Sequence, residues 1–589
     1  MMSRPLTLPT MLLCSLVVIL IGTGSLQSMA VSVSYEIDNP QTLLVPPPGP
    51  IRNVAEFESM EGVLIRYTFG ISYNVIAEMS EDVTVYTIVV SSSEQSSVLS
   101  QYQSHGVNTA NCEFLIAASD SYWTRDYGPW FIFNGNDELG VIDFNYNRPR
   151  PNDNQIPSKF AIYKGFPSYY MPLTHAGGNY MTDSEGISIS TDLVLSENPS
   201  LTQSQINQIM YDYLGITTYH TVPDALGDYI GHIDCWAKLL SPDTIMIIQS
   251  SLAHSHYEDF EEAAQYFENQ TTCYGTTYNV VRVYTNMNEP YINSLILNNK
   301  VFVPITGSQW DDDALDAYEA AMPGYEVLGF TGSWQSTDAL HCRAKGIPDP
   351  EMLYIKHTPL SGAINGDEGV TIAFDAIAYS GYDIDTSASI VYWKENSGNW
   401  QTSTIQATGG DSYQAIIAPQ QNNSLISYYI HMEDTHGKTA NHPYIGAPDS
   451  HQFTVEITEI NVPPEQPERP AGQTQGKAGE SYTYETTTMD ANGDNIYYIW
   501  DWGDGNFSEW LGPFASGASA TAQKSWVVKG TYSVRVKAKD VYGNESTWSE
   551  PLSVTMPKDK VLLFSFFERL EQWFPYISLL FHEFFCRFG

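Results

Sequence analysis

Cysteine is scarce in this sequence, with six among 589 residues. Cys14 lies in an apolar stretch near the start, and the other five are Cys112, Cys235, Cys273, Cys342 and Cys586. They are too scattered for a disulfide scaffold in a chain of this size, and no pair has metal-ligand spacing. The odd number implies at least one free thiol. Positive charge is scarce too: 27 Lys and Arg stand against 68 Asp and Glu, for a formal net charge of -41. That balance excludes general attraction to nucleic acid or anionic membranes and suits cationic partners, although most of these carboxylates serve solubility. Low-complexity tracts are missing between residues 31 and 355.

Length permits several domains, each with its own core. Residues 1–30 read as a secretory signal, with Arg4 before the apolar run Met11 to Ile21 and a small-x-small site at Ser28-Met29-Ala30, so the mature chain is expected to begin outside the cytoplasm. Residues 31–358 alternate strand-like runs (Val63 to Tyr67, Val83 to Val90, Val141 to Asn145, Gly186 to Ser190, Thr244 to Ile248, Val280 to Tyr284, Val301 to Val303) with helical ones. Thr202 and Gln205 form a capping box before a helix that Gly215 ends, and Tyr257 to Phe267 and Asp312 to Ala321 predict two more helices. The class is α/β. Residues 359–457 alternate apolar and polar positions, as a β-sandwich does, and a Pro-rich linker at 458–470 leads to a second all-β unit at 471–556.

The tail, 557–589, carries an apolar stripe (Leu563, Phe567, Leu570, Phe574, Ile577, Phe581, Phe584, Phe588) that Pro575 must kink. Charged residues interrupt it too often for a bilayer span. The stripe predicts an amphipathic segment, with residues 560–589 docking on a partner, a second copy or a membrane surface, or else folding back onto the preceding domain.

The chemistry gathers around Gly231-His232-Ile233-Asp234-Cys235. In an extended strand His232 and Asp234 share one face and Cys235 takes the other, although an ordinary strand end with a satisfied histidine carries the same letters. Three further segments add to it: Trp123-Thr-Arg-Asp126-Tyr-Gly-Pro-Trp130, His175-Ala-Gly-Gly-Asn179, and Asp338-Ala-Leu-His-Cys342-Arg. Two carboxylates can each accept paired hydrogen bonds from a planar guanidinium and leave its carbon open to a thiolate. The set points to arginine-like substrates. A cysteine protease also uses a thiol and a histidine, but clasping carboxylates repel a developing oxyanion.

Residues 45 to 350, with these motifs in order after Glu58-Ser-Met-Glu-Gly-Val-Leu-Ile65, resemble the guanidine-modifying superfamily, closest to its bacterial peptidylarginine deiminase and agmatine deiminase branch. The resemblance implies a five-bladed α/β propeller (pentein) with the site on its axis, followed here by two immunoglobulin-like sandwiches. Of these, the second resembles the polycystic-kidney-disease (PKD) module through Asp501-Trp-Gly-Asp-Gly505 and Gly530 to Val536. Asp501 and Asp504 there read as solvated acids of a Gly-rich turn in preference to a calcium site.

By the same resemblance Cys342 is the nucleophile, His232 the general acid and base, and Asp126 and Asp234 the guanidinium clasp. Trp123 walls the substrate's alkyl part, Asn179 supports the site, and Asn293 orients the cysteine. Arg148 and Arg150, in a Pro-stiffened loop, are placed to hold the carboxylate of a C-terminal arginine, with Tyr229 in support. No metal or organic cofactor is required. The expected substrates are arginine-containing peptides or proteins. Agmatine or free arginine as the substrate, or an inactive surface-adhesion protein, are the alternatives.

Overall fold

The computed structural model describes residues 45–557, apart from residues 288, 367–368, 419 and 458–460. The signal sequence and the apolar tail read above, with Cys586, lie outside the described residues. The chain divides into two units, Met1–Glu456 and Ile457–Gly589.

The first unit contains five small sheets built on one plan: an antiparallel strand pair, then a helix, then a strand parallel to the second. Trp130–Phe133 and Leu139–Tyr146 pair antiparallel, and after helix Ile156–Lys164 the strand Ser168–His175 joins in parallel. Met181–Thr182, Ile187–Thr191 and Thr218–Val222 repeat this around helix Gln203–Leu214. Ala237–Leu239, Thr244–Gln249 and Asn279–Tyr284 do so around Tyr257–Glu268, and Leu295–Leu297, Lys300–Ile305 and Glu326–Thr331 around Asp311–Ala321. The last sheet closes sequence ends together: Lys345–Pro348 pairs with Met60–Arg66, which runs parallel to Thr84–Val89 beyond helix Tyr73–Asp82.

Local sequence accounts for these elements. Thr202 and Gln205 form the reciprocal cap, and Gly215 ends the helix in the left-handed region at φ 71°, where a side chain is strained. Helix Tyr257–Glu268 buries Phe260, Ala264 and Phe267, the four- and three-residue spacing of one face. The strands Thr244–Gln249 and Lys300–Ile305 are buried along almost their whole length, as strands between two layers are.

The plan places the site. Just before the first strand of each pair the chain makes a tight turn: Thr124–Tyr127 before Trp130, Gly177–Asn179 before Met181, Ile233–Cys235 before Ala237, Pro290–Asn293 before Leu295, and His341–Arg343 before Lys345. These five turns carry Asp126, Asn179, Asp234, Asn293 and Cys342.

The rest of the first unit is all-β. Val370–Ala378 alternates buried and exposed residues, and Leu425–Glu433 lies at the centre of a second sheet between Ile390–Glu395 and His451–Glu456. The second unit is also all-β, with a core of Tyr484, Tyr498, Trp500, Trp502, Trp526 and Val536. There Asp501 pairs with Arg535 at 3.0 Å and Asp504 with Lys524 at 2.7 Å, and both acids accept backbone amides of their own turn. Among the described residues no group of side chains is arranged to hold a metal ion, and no helix is long and apolar enough to cross a membrane.

Candidate active site

His232 and Asp234 do meet, but by a different geometry from the expected strand. His232 is extended (φ -94°, ψ 135°), and the chain then turns tightly through Ile233–Cys235, with the Cys235 amide donating to the His232 carbonyl at 3.2 Å. The turn is fixed from outside. Asn179 Oδ1 accepts the amides of both Thr191 (2.9 Å) and Ile233 (3.3 Å), while Ile233 and Trp236 are fully buried. Alternation therefore fails here, and Cys235 is not turned away: its thiol lies 3.6 Å from Asp234 Oδ1 and 3.8 Å from the Thr337 carbonyl.

The two glycines before Asn179 are required by close approach. A Cβ on Gly177 would stand 2.0 Å from the Arg125 carbonyl oxygen. One on Gly178 would stand 2.6 Å from His232 Nδ1, 2.7 Å from Asp126 Oδ1 and 3.1 Å from Asp234 Oδ2. Asp126, His232 and Asp234 thus converge on one bare backbone position, and His232 Nδ1 is 3.5 Å from Asp126 Oδ1. Cys342 joins them, with its Sγ 3.8 Å from Asp234 Oδ2. Asn293 donates to that sulfur at 3.4 Å and accepts the Cys342 amide at 3.3 Å. All four described cysteines are free thiols.

Burial sets the protonation states. Asp126 is pushed well above the carboxylate range by burial and then by the charge of Asp234, against the opposing cation Arg148. Burial acts the same way on Asp234, but the hydrogen bond and charge of His341, with His232 and Arg125, overcome it and hold Asp234 below its ordinary value. His232 falls to about 4 through burial. The Cys342 thiol is pushed up by burial, then by Asp234 and Asp126. Burial thus favours the protonated acid in Asp126, the neutral imidazole in His232 and the thiol in Cys342, while Asp234 is held towards its carboxylate.

Arg148 and Arg150 are half-buried at the edge. The guanidinium of Arg150 lies 4.2 Å over the Trp123 ring and donates to the Tyr146 hydroxyl at 2.9 Å. Tyr229 is 87% exposed, in contrast to the buried Asp126, His232, Asp234 and Cys342. It sits in a loop pinned by Asp228, which accepts the amides of Ile230 and Gly231, and that turn directs its ring to solvent.

The sequence reading passed over Glu56 and His341. Glu56 is ringed by His341 Nε2 (2.6 Å), Lys238 Nζ (2.7 Å), Arg125 (2.8 Å) and the Ile296 amide (2.9 Å). Burial acts to raise it, but Arg125, His341 and Lys238 hold it well below the usual carboxylate range. His341 Nδ1 reaches Asp234 Oδ2 at 2.7 Å, so one imidazole spans two carboxylates directly behind the thiol. Its place next to Cys342 is the one signal the sequence offered.

Residues 53–348 match the family model of the Porphyromonas-type peptidyl-arginine deiminases, and residues 470–551 match the PKD domain. An agmatine deiminase of Medicago truncatula is 24% identical over 283 residues, covering 38% of this chain and 75% of that protein. Among solved structures, the agmatine deiminase of Enterococcus faecalis is 20% identical with a TM-score of 0.47, covering 52% of this chain and 99% of that one. The C. jejuni agmatine deiminase is 18% identical with a TM-score of 0.45, covering 51% and 96%. The family match defines a hydrolase acting on the carbon–nitrogen bonds of amidines. The chain belongs to the Porphyromonas-type peptidyl-arginine deiminase and agmatine deiminase family, and carries a PKD domain after its deiminase region.

Proposed function

We propose that this deiminase converts the C-terminal arginine of peptides to citrulline and ammonia, outside the cell, with Cys342 as nucleophile. The observation that carries the reading is the convergence of Asp126, His232, Asp234 and Cys342 about Gly178. A cationic guanidinium entering there meets the ionised Asp234 and favours ionisation of Asp126, so that both acids accept its N–H groups. The five repeats, each delivering one turn to the cluster, agree with five blades about a common axis.

Neutral His232 takes the proton of the Cys342 thiol as the substrate's positive charge offsets the carboxylates. The thiolate bonds to the guanidinium carbon and gives a neutral tetrahedral adduct. His232 returns its proton to one amino group, the C–N bond breaks, and ammonia leaves a thiouronium cation on Cys342. Water then attacks the same carbon while His232 accepts its proton. The C–S bond breaks with its electron pair going to sulfur, the hydroxyl proton passes to that thiolate as the ureido carbonyl forms, and His232 releases to solvent the proton it took from water.

Arg148 supports a substrate bearing a carboxylate. Its charge acts on both Asp126 and His232, which puts a cation beside the clasp without occupying it. A PKD domain and the signal-like start support an extracellular setting. A second reading, agmatine as substrate, is favoured by the names of the related deiminases. Assay of ureido product from a peptide ending in arginine, its C-terminal amide, free arginine and agmatine decides between them. The proposal expects the free-carboxylate peptide to be turned over fastest. Faster turnover of agmatine establishes the second reading, and no product from any of the four sinks both.

A further inference from the structure

His341 lies between two carboxylates, its Nδ1 2.7 Å from Asp234 Oδ2 and its Nε2 2.6 Å from Glu56 Oε2. A neutral imidazole carries one N–H and one lone pair, so it can donate to only one of two such acceptors. The other contact would set lone pair against lone pair at hydrogen-bond distance. A proton on Glu56 does not resolve this, because its two oxygens already face the His341 ring, the ammonium of Lys238, the guanidinium of Arg125 and the Ile296 amide. Asp234, which burial acts to raise, is held below its ordinary value first by the hydrogen bond from His341.

The charged groups around His341 oppose one another. Burial, with the cations Arg125 and Lys238, acts to strip its second proton and pulls the imidazole below its ordinary range, while the contacts to Glu56 and Asp234 act to hold that proton. The donor count decides in favour of the carboxylates, which touch both nitrogens; Arg125 donates instead to the His341 carbonyl at 3.4 Å.

We propose that His341 is a positioning residue, an imidazolium clamped between Glu56 and Asp234 that keeps Asp234 ionised and fixed beneath the guanidinium. It acts through Asp234, and through the turn it shares with Cys342. That turn is itself anchored where the His341 amide donates to the Asn293 carbonyl at 3.0 Å. Glu56 completes the clamp from the far side. The role in turnover rests on the deiminase reading above; the protonation state does not.

Two measurements on the full chain separate these. The first is the nitrogen-15 and proton NMR of the His341 ring, assigned by its loss in His341→Gln. Two protonated ring nitrogens are expected at pH 7.5, and one protonated nitrogen overturns the proposal whatever the enzyme's substrate. The second is kinetics of His341→Gln and Glu56→Gln on the best of the four guanidino compounds. Removing a hydrogen bond to a charged group is expected to lower kcat/KM about 10- to 100-fold. The acid limb of its pH profile should move to higher pH as Asp234 loses its cation, with little change in Tm. A drop in activity that follows Tm, with the pH limb unmoved, shows a merely structural role and overturns the proposal. Wild-type protein inactive on all four compounds counts against the deiminase mechanism and overturns the turnover role, while the NMR result still decides whether the imidazolium exists.

Discussion

Asn293 holds Cys342 by both ends, its Nδ2 donating to the sulfur at 3.4 Å while its Oδ1 accepts the cysteine's own amide at 3.3 Å. Its Nδ2 also donates to the Asp234 carbonyl at 3.1 Å, which ties the turn carrying Cys342 to the turn carrying Asp234. Asn293→Ala is expected to lower kcat about 10-fold or more with a smaller change in KM, since it frees the reacting atom without touching the bound guanidinium. Asn293→Asp should be worse, because a second carboxylate beside the sulfur opposes the thiolate. Steady-state kinetics of the two variants check this; equal losses would contradict the electrostatic part.

The thiol itself gives a second prediction. Burial, then the charges of Asp234 and Asp126, raise the Cys342 pKa. Alkylation of Cys342 by iodoacetamide should therefore be slow at neutral pH and accelerate only above the ordinary thiol range near pH 8.5. Replacing Asp126 by Asn removes one of the opposing carboxylates and should shift the alkylation profile to lower pH. The rate is followed by mass spectrometry of the Cys342 peptide. An inflection below pH 7 in the wild type would mean that the free enzyme already holds a thiolate.

How far the site could be read from the sequence depended on the kind of information each residue carried. Cys342, Asp126 and Asn179 sit in short motifs with tight geometric demands, such as the two glycines before Asn179 that a Cβ would block. Those demands leave letters behind. The pairing of His232 with Asp234 was legible, but the strand assigned to them was not, because the turn is held by Asn179 from another repeat. Glu56 left no trace at all: its partners Lys238 and His341 lie 182 and 285 residues away, and nothing around it marks an acid that will be ringed by cations. Tyr229 shows the opposite limit, since its place three residues before His232 leaves its ring 87% exposed while His232 is buried.

Arg148 and Arg150 differ in their surroundings, so their replacement should differ in effect. Arg150 is already engaged by Trp123 and Tyr146, whereas Arg148 acts on Asp126 and His232 by charge. Arg148→Gln is expected to raise KM for a peptide ending in arginine about 10-fold or more while leaving KM for agmatine near its wild-type value. Arg150→Gln should also loosen Trp123 and raise KM for both. Similar KM increases for agmatine and the peptide in Arg148→Gln would remove the carboxylate role.

Away from the site, three histidines pack together in the first unit. His442 Nδ1 is 2.8 Å from His451 Nε2, and the His357 ring lies 5.4 Å from that of His442 and 5.8 Å from that of His451. The Tyr274 and Tyr428 hydroxyls face the cluster, at 3.3 Å from His442 and 2.8 Å from His357. Burial, and in His442 and His451 the neighbouring imidazoles, push these groups down: His357 to about 4, His451 to about 3, and His442 well below its ordinary value. An unfolded histidine titrates near about 6.5, so the folded state binds fewer protons than the unfolded one below that pH. The stabilisation is therefore fully present above pH 6.5 and is lost as pH falls from there towards 4. For His357 alone it is on the order of 3 kcal/mol. Tm is expected to fall steeply between pH 6.5 and 4.5, and His451→Gln, which removes one titrating ring, should flatten that slope while lowering Tm at pH 8 by a few degrees. Scanning calorimetry of both proteins across this range tests it. The same slope in the variant would place the acid sensitivity elsewhere in the chain.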